Sequence, residues 1–188
     1  MNRASLIQDL TCRLSNLMKG YSLPGKSGFL QEVKVFAQYV PQPAGITFEG
    51  RNNTGLKNYS ANDYESNFPC LIVKLEDMTD LEERARTHSL CNVRILIGIY
   101  DDKPECQGYI DVLNIQETLR LYLLENRILA NKHLLMMPLK CKLNEVDTWP
   151  VYWGEMELVY QVGRPCRSAD YVYRYDFPSA AAMEAINS

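Results

Sequence analysis

Apolar residues recur at steps of three and four from Ser5 to Lys19, at Leu6, Ile7, Leu10, Leu14, Leu17 and Met18. That spacing lines them along one stripe of a helix, and Gly20 supplies a stop. The period then changes. Between Glu32 and Val40, Val33, Val35, Ala37 and Tyr39 alternate with Glu32, Lys34 and Gln38, the two-residue repeat of a strand with one wet face, closed by Pro41 and Pro43. From Pro41 to Phe68 neither period holds, and Gly45, Gly50, Asn52, Asn53, Gly55, Asn58, Asn62 and Asn67 supply turn formers. This stretch is predicted to be a long loop, and long loops in small domains tend to carry function or move, so it is a candidate contact arm.

Pro69 to Leu75 is an almost unbroken apolar run, predicting a strand covered on both faces and central in a sheet. The segment from Glu76 to Arg86 crowds charges of both signs and is expected to be a solvated loop or hairpin tip. From Thr87 to Tyr100, Val93, Ile95, Ile97 and Ile99 alternate with Asn92, Arg94, Leu96 and Gly98 as a long strand that ends at Asp101-Asp102-Lys103-Pro104. Gly108 to Asn126 carries a helical pattern through Val112, Leu113, Gln116, Leu119 and Leu123, with Asp111 placed near its start to suit the dipole. Met137 to Leu143 and Tyr152 to Val162 alternate as two strands that pair most simply as a hairpin. Past Gly163-Arg164-Pro165, Tyr171, Tyr173 and Tyr175 alternate before an Ala-rich end, either an arm that adds a strand to a neighbouring subunit or a loose tail. The whole predicts an α+β fold: one domain over 1–163, with a mixed, mainly antiparallel sheet of about four to six strands packed against two helices, and a C-terminal arm over 164–188.

Composition narrows the function. The chain has 188 residues, 46% hydrophobic and 23% charged, enough to bury a core without staples and far from the signature of disorder. Twenty basic against 23 acidic residues leave a net charge of -3, so no general pull toward phosphates, and no direct nucleic-acid specificity, is expected. No apolar run approaches the roughly 18 to 20 residues of a membrane span, and Met1 to Ser5 leads into a patterned helix rather than a secretory segment. A membrane is not an expected partner, and the chain reads as cytosolic when made. The six cysteines stand singly with no CxxC pair, giving neither zinc knuckle nor redox motif, and Cys70 and Cys141 are expected to act as small hydrophobes in their strands. Only His88 and His133 occur, neither in a pattern that activates a nucleophile. Gly25-Lys26-Ser27 follows a helix where a phosphate loop requires a strand. The one enzymatic pattern is the set of carboxylates Glu76, Asp77, Asp101 and Asp102 at strand ends, with the Glu32-Val33-Lys34 spacing of a magnesium nuclease strand. The order opposes it, since such nucleases place an acidic residue before that strand. No cofactor or metal is expected.

Several pieces carry a resemblance. Phe68-Pro69-Cys70-Leu71-Ile72-Val73-Lys74-Leu75 opens an apolar strand with an aromatic and a proline; Val93 to Asp101 ends in Gly98-Ile99-Tyr100-Asp101; Gly108-Tyr109-Ile110-Asp111-Val112-Leu113-Asn114 opens a helix. Leu124 to Leu129, Met137 to Lys140 and Tyr152 to Met156 continue the likeness. In this order the chain resembles the tail terminator and related minor tail or neck proteins of long-tailed bacteriophages and prophages, over about Phe68 to Val162. The resemblance implies a subunit without an active site. It would form a hexameric ring on the last disc of the tail tube, halt tube polymerisation and offer a surface to the neck. Its partners would be other copies of itself, the major tail tube protein and the head-tail connector protein, in the virion and, during assembly, in the host cytoplasm. Candidate interface residues are Asp77, Asp80, Glu82, Glu83, Arg84 and Arg86 in the charged segment, Asp101, Asp102 and Lys103 in the next turn, Tyr171, Tyr173 and Tyr175 in the arm, and the loop before Phe68. The alternatives are a head-side connector subunit and a metal-dependent hydrolase or nuclease using the strand-end carboxylates.

Overall fold

The computed structural model describes residues 3–25, 28–41, 66–83, 86–103, 105, 107–146 and 148–163. Most of the loop expected from Pro41 to Phe68 lies outside the described residues, as do Arg84 and the whole arm with Tyr171, Tyr173 and Tyr175.

The elements run α1 (Arg3–Leu17), β1 (Ser22–Pro24), β2 (Leu30–Glu32), β3 (Lys34–Ala37), β4 (Cys70–Glu83), β5 (Arg86–Tyr100), α2 (Gly108–Glu125), β6 (Ile128–Leu129), β7 (His133–Leu143) and β8 (Val151–Gly163). The main sheet has the order β3-β4-β5-β8-β7-β6, and β1 pairs with β2 in a small sheet of their own. Only β3 and β4 pair in parallel; the other neighbours in the main sheet are antiparallel. The α+β architecture read from the sequence, a sheet with two helices, is the one observed.

Both helices cover one face. Leu6, Ile7, Leu10 and Leu14 of α1 and Val112, Ile115, Leu119 and Leu123 of α2 join Leu71, Val73, Val93, Ile95, Ile97, Ile99, Met156, Leu158 and Tyr160 in one buried cluster. The two periods explain this directly: every second strand residue and one stripe of each helix meet, and each buried aliphatic side chain stabilises the fold by about 1.5–3 kcal/mol. Cys70, Ile72, Leu96 and Trp153 point to the opposite face, which no helix among the described residues covers. Phe68 and Tyr100 complete a second, smaller cluster there.

The largest departure concerns the charged segment expected to be a loop. β4 and β5 stay paired from Cys70↔Gly98 to Glu83↔Arg86, so Asp77 to Glu83 are strand residues. A strand tolerates these charges because its neighbours satisfy them. Asn92 Nδ2 donates to Asp77 Oδ1 at 2.7 Å, the Ser89 hydroxyl donates to Asp80, and Met78, opposite Cys91, packs on the core. A bulge between Leu75 and Asp77 shifts the alternation by one and puts Met78 inward. Smaller corrections follow. The strand predicted over Glu32–Val40 divides at buried Val33, whose N–H bonds the Tyr21 carbonyl, and ends at Gln38 with φ 65. β7 starts at His133, ahead of the predicted Met137, and Cys141 is exposed rather than packed inside.

Candidate assembly surface

The helix-free face has two halves. At one end Phe68 and Trp153 meet edge to face, with ring centroids 5.5 Å apart, and Gly98 between them leaves no room for a side chain: a Cβ there would lie 2.5 Å from Phe68 and 2.8 Å from Trp153. Nearby, Asp101 ties the end of β5 to the start of α2, its Oδ2 accepting from Gly108 N–H at 2.8 Å and its Oδ1 from Lys103 N–H at 3.2 Å. A Cβ on Gly108 would strike Tyr152 at 2.3 Å. Two glycines therefore let aromatic rings from β8 and from the residues just before β4 close on β5 and α2.

The other half is a row of charge. Arg94 of β5 bridges Glu76 of β4 at 2.7 Å and Glu155 of β8 at 3.4 Å. Lys142 of β7 continues to Glu155 at 3.6 Å and Glu157 at 2.6 Å, and Lys140 reaches Glu157 at 3.4 Å. Sign alternates strand by strand: negative on β4, positive on β5, negative on β8, positive on β7. The hydrogen bond from Lys142 holds the Glu157 carboxyl below its usual pKa and raises that of Lys142 itself. These groups are partly or well exposed, where ion pairs add little stability and are available to steer a partner.

The predicted interface residues separate into three groups. Asp77 and Asp80 are exposed on β4, and Glu82 and Glu83 extend the same strand toward Arg86, the first residue of β5. Asp101 holds its turn together, with Asp102 and Lys103 exposed beside it. Arg84 and the three tyrosines of the arm lie outside the described residues. The carboxylates proposed as a cation site do not converge: Glu76 sits beside the Leu75↔Val93 pair and Asp101 follows the far end of β5, about eight residues or ~25 Å of strand away. Among the described residues no cluster of His, Cys, Asp and Glu is arranged to hold a metal ion. Burial pushes the Cys70 thiol up to about 12, which keeps it neutral and unreactive.

Three features escaped the sequence reading. Lys140, Lys142, Glu155 and Glu157 form most of the charge row, though their alternation along β7 and β8 marked them as a wet face. A shallow groove of about 260 Å³ lies between α2 and the β7–β8 connection, lined by Tyr109, Val112, Leu143, Val146, Tyr152 and Trp153. His133 is 1% exposed beneath α1, with Asp9 Oδ2 at 3.8 Å and neither ring nitrogen hydrogen-bonded. Burial lowers its pKa, partly opposed by Asp9.

No known protein-family model matches the chain, and no curated protein matches it in sequence. Among the described residues no helix is long and apolar enough to cross a membrane.

Proposed function

We propose that this chain is a structural subunit of a long-tailed phage particle: a tail terminator whose copies form a hexameric ring on the end of the tail tube, stop its growth and contribute to head-tail joining. One observation carries the reading. The pieces of sequence that resemble the terminator family are interlocked in space: Phe68, two residues before β4, packs over Gly98 of β5 and against Trp153 of β8, while Asp101, Gly108 and Tyr152 join β5, α2 and β8. They form one packed unit rather than scattered likenesses. The charged half of the helix-free face adds physical support, since an exposed row of charge suits contact with neighbouring subunits, and a ring needs only heterologous contacts whose rotation closes.

Capping requires that one ring face match the tube and the other fail to repeat it. The direct test is polymerisation of the cognate tail tube protein with and without the purified chain. Tubes that stop lengthening at substoichiometric amounts of the chain support the terminator reading. Tubes of unchanged length oppose it, and binding to the head connector in their place assigns the chain to the head side of the neck.

A further inference from the structure

The two edges of the sheet differ from each other, and among the described residues neither is paired along its length. β3 covers β4 only from Cys70 to Val73, and β6 covers β7 only at His133 and Leu134, with the Leu135 N–H bonded to the Arg127 carbonyl. Lys74 to Glu83 on one side and Met136 to Leu143 on the other are thus left without a partner strand. Such edges are rows of free N–H and C=O groups that a further strand can satisfy.

Their charges select which strand. The open part of β4 carries Glu76, Asp77 and Asp80 against Lys74, whereas the open part of β7 carries Lys140 and Lys142 and no carboxylate. Two β7 edges would set lysine against lysine and two β4 edges carboxylate against carboxylate, so only unlike edges attract. The charge row says the same: it runs negative, positive, negative, positive from β4 to β7, and the next strand in the series would be negative, as β4 is. Strand direction also agrees. β5 and β7 run opposite to β4 and β8, so a copy added head to tail meets β7 with an antiparallel β4.

We infer that β7 of one copy pairs antiparallel with β4 of the next, so that the sheets of neighbouring subunits form a continuous surface. The inference names a second copy as occupant on the strength of the ring reading and adds the contact that builds the ring. Charge selects the register, and the ladder gives the shift that it implies. Lys140 lies level with Lys74 through Glu157 and Arg94, while Thr79, near the middle of the open part of β4, lies level with Leu134 through Leu90 and Gln161. Matching Lys140 to Thr79 of the next copy shifts each subunit along the strands by about four residues, ~13 Å, over the ~19 Å width of the strands β4, β5, β8 and β7. That slope is roughly 35°, at the low end of the strand tilt in closed barrels. Lys142 then faces Asp77, with all four side chains on the helix-free face. Pro138 and the irregular register between Met136 and Lys140 blunt one end of the open edge, leaving Leu139 to Leu143 to pair.

Complementary charge reversal on the full chain tests this, read by light scattering up to millimolar subunit, with circular dichroism to verify folding. The variant K140E/K142E is expected to lose self-association at least ten-fold, and so is D77K/T79K. An equimolar mixture of the two should assemble like the unaltered protein, because each junction in an alternating ring again joins unlike edges. Rings that form undiminished from either variant alone overturn the edge pairing while leaving the ring reading intact. So does a mixture that stays dissociated with both variants folded. An unaltered chain that remains monomeric throughout overturns self-pairing, and the tube-length assay then decides the function independently.

Discussion

The two faces of one sheet use the same strands for opposite ends. On the covered face Val93, Ile95, Ile97 and Ile99 disappear under α1 and α2, and burial does the stabilising. On the other face the alternate residues of β5 are Asn92, Arg94, Leu96 and Gly98, which give a charge row and a small aromatic cluster. Buried apolar side chains are concentrated on the first face; if the proposed ring reading holds, recognition belongs to the second, and mutations on the two should separate folding from assembly.

The largest effect is expected from the covered face. Ile95→Ala empties a site with no solvent exposure at the centre of the core and should cost about 2–5 kcal/mol in chemical unfolding. Next comes the aromatic cluster on the other face. Gly98→Ala drives a methyl into Phe68 and Trp153 and should cost about 1–3 kcal/mol, an overpacking penalty that Phe68→Leu in the same chain partly relieves.

A third, smaller effect depends on acid. Burial holds the pKa of His133 below its ordinary 6.5, so the unfolded chain takes the proton more readily than the folded one. The contribution of His133 is therefore intact above 6.5 and declines as pH falls below it, until the folded imidazole is itself protonated. Thermal melts of His133→Leu should show a shallower loss of stability below that pH than the unaltered chain. The smallest effect on folding belongs to the charge row: Arg94→Gln should change unfolding free energy by less than about 1 kcal/mol and lose even that in salt. Assembly should depend instead on Lys140 and Lys142 at the β7 edge, and that contrast would sharpen the division between the faces.

Much of this division is legible in the sequence. The Ile95-Ile97-Ile99 alternation and the Leu6-Leu10-Leu14 stripe each name their element, because period follows from backbone geometry. Asp77 to Glu83 misread as a turn because local charge suggests solvent, whereas the cross-strand partners of Asp77 and Asp80, Asn92 and Ser89, lie 15 and 9 residues away in sequence and belong to the next strand. The split at Val33 was likewise hidden, since its N–H bond to Tyr21 depends on a hairpin with too few residues to carry a period. For the candidate assembly surface, the acidic half was visible as a charged run. Its basic counterpart on β7 was not, because two lysines gain meaning only when the sheet order puts them at the opposite edge.

Electron microscopy of particles assembled without this protein tests the central claim most directly. The account predicts tails of uncontrolled, excessive length that fail to join heads, with normal length restored by supplying the unaltered chain. Tails of normal length in its absence would contradict it.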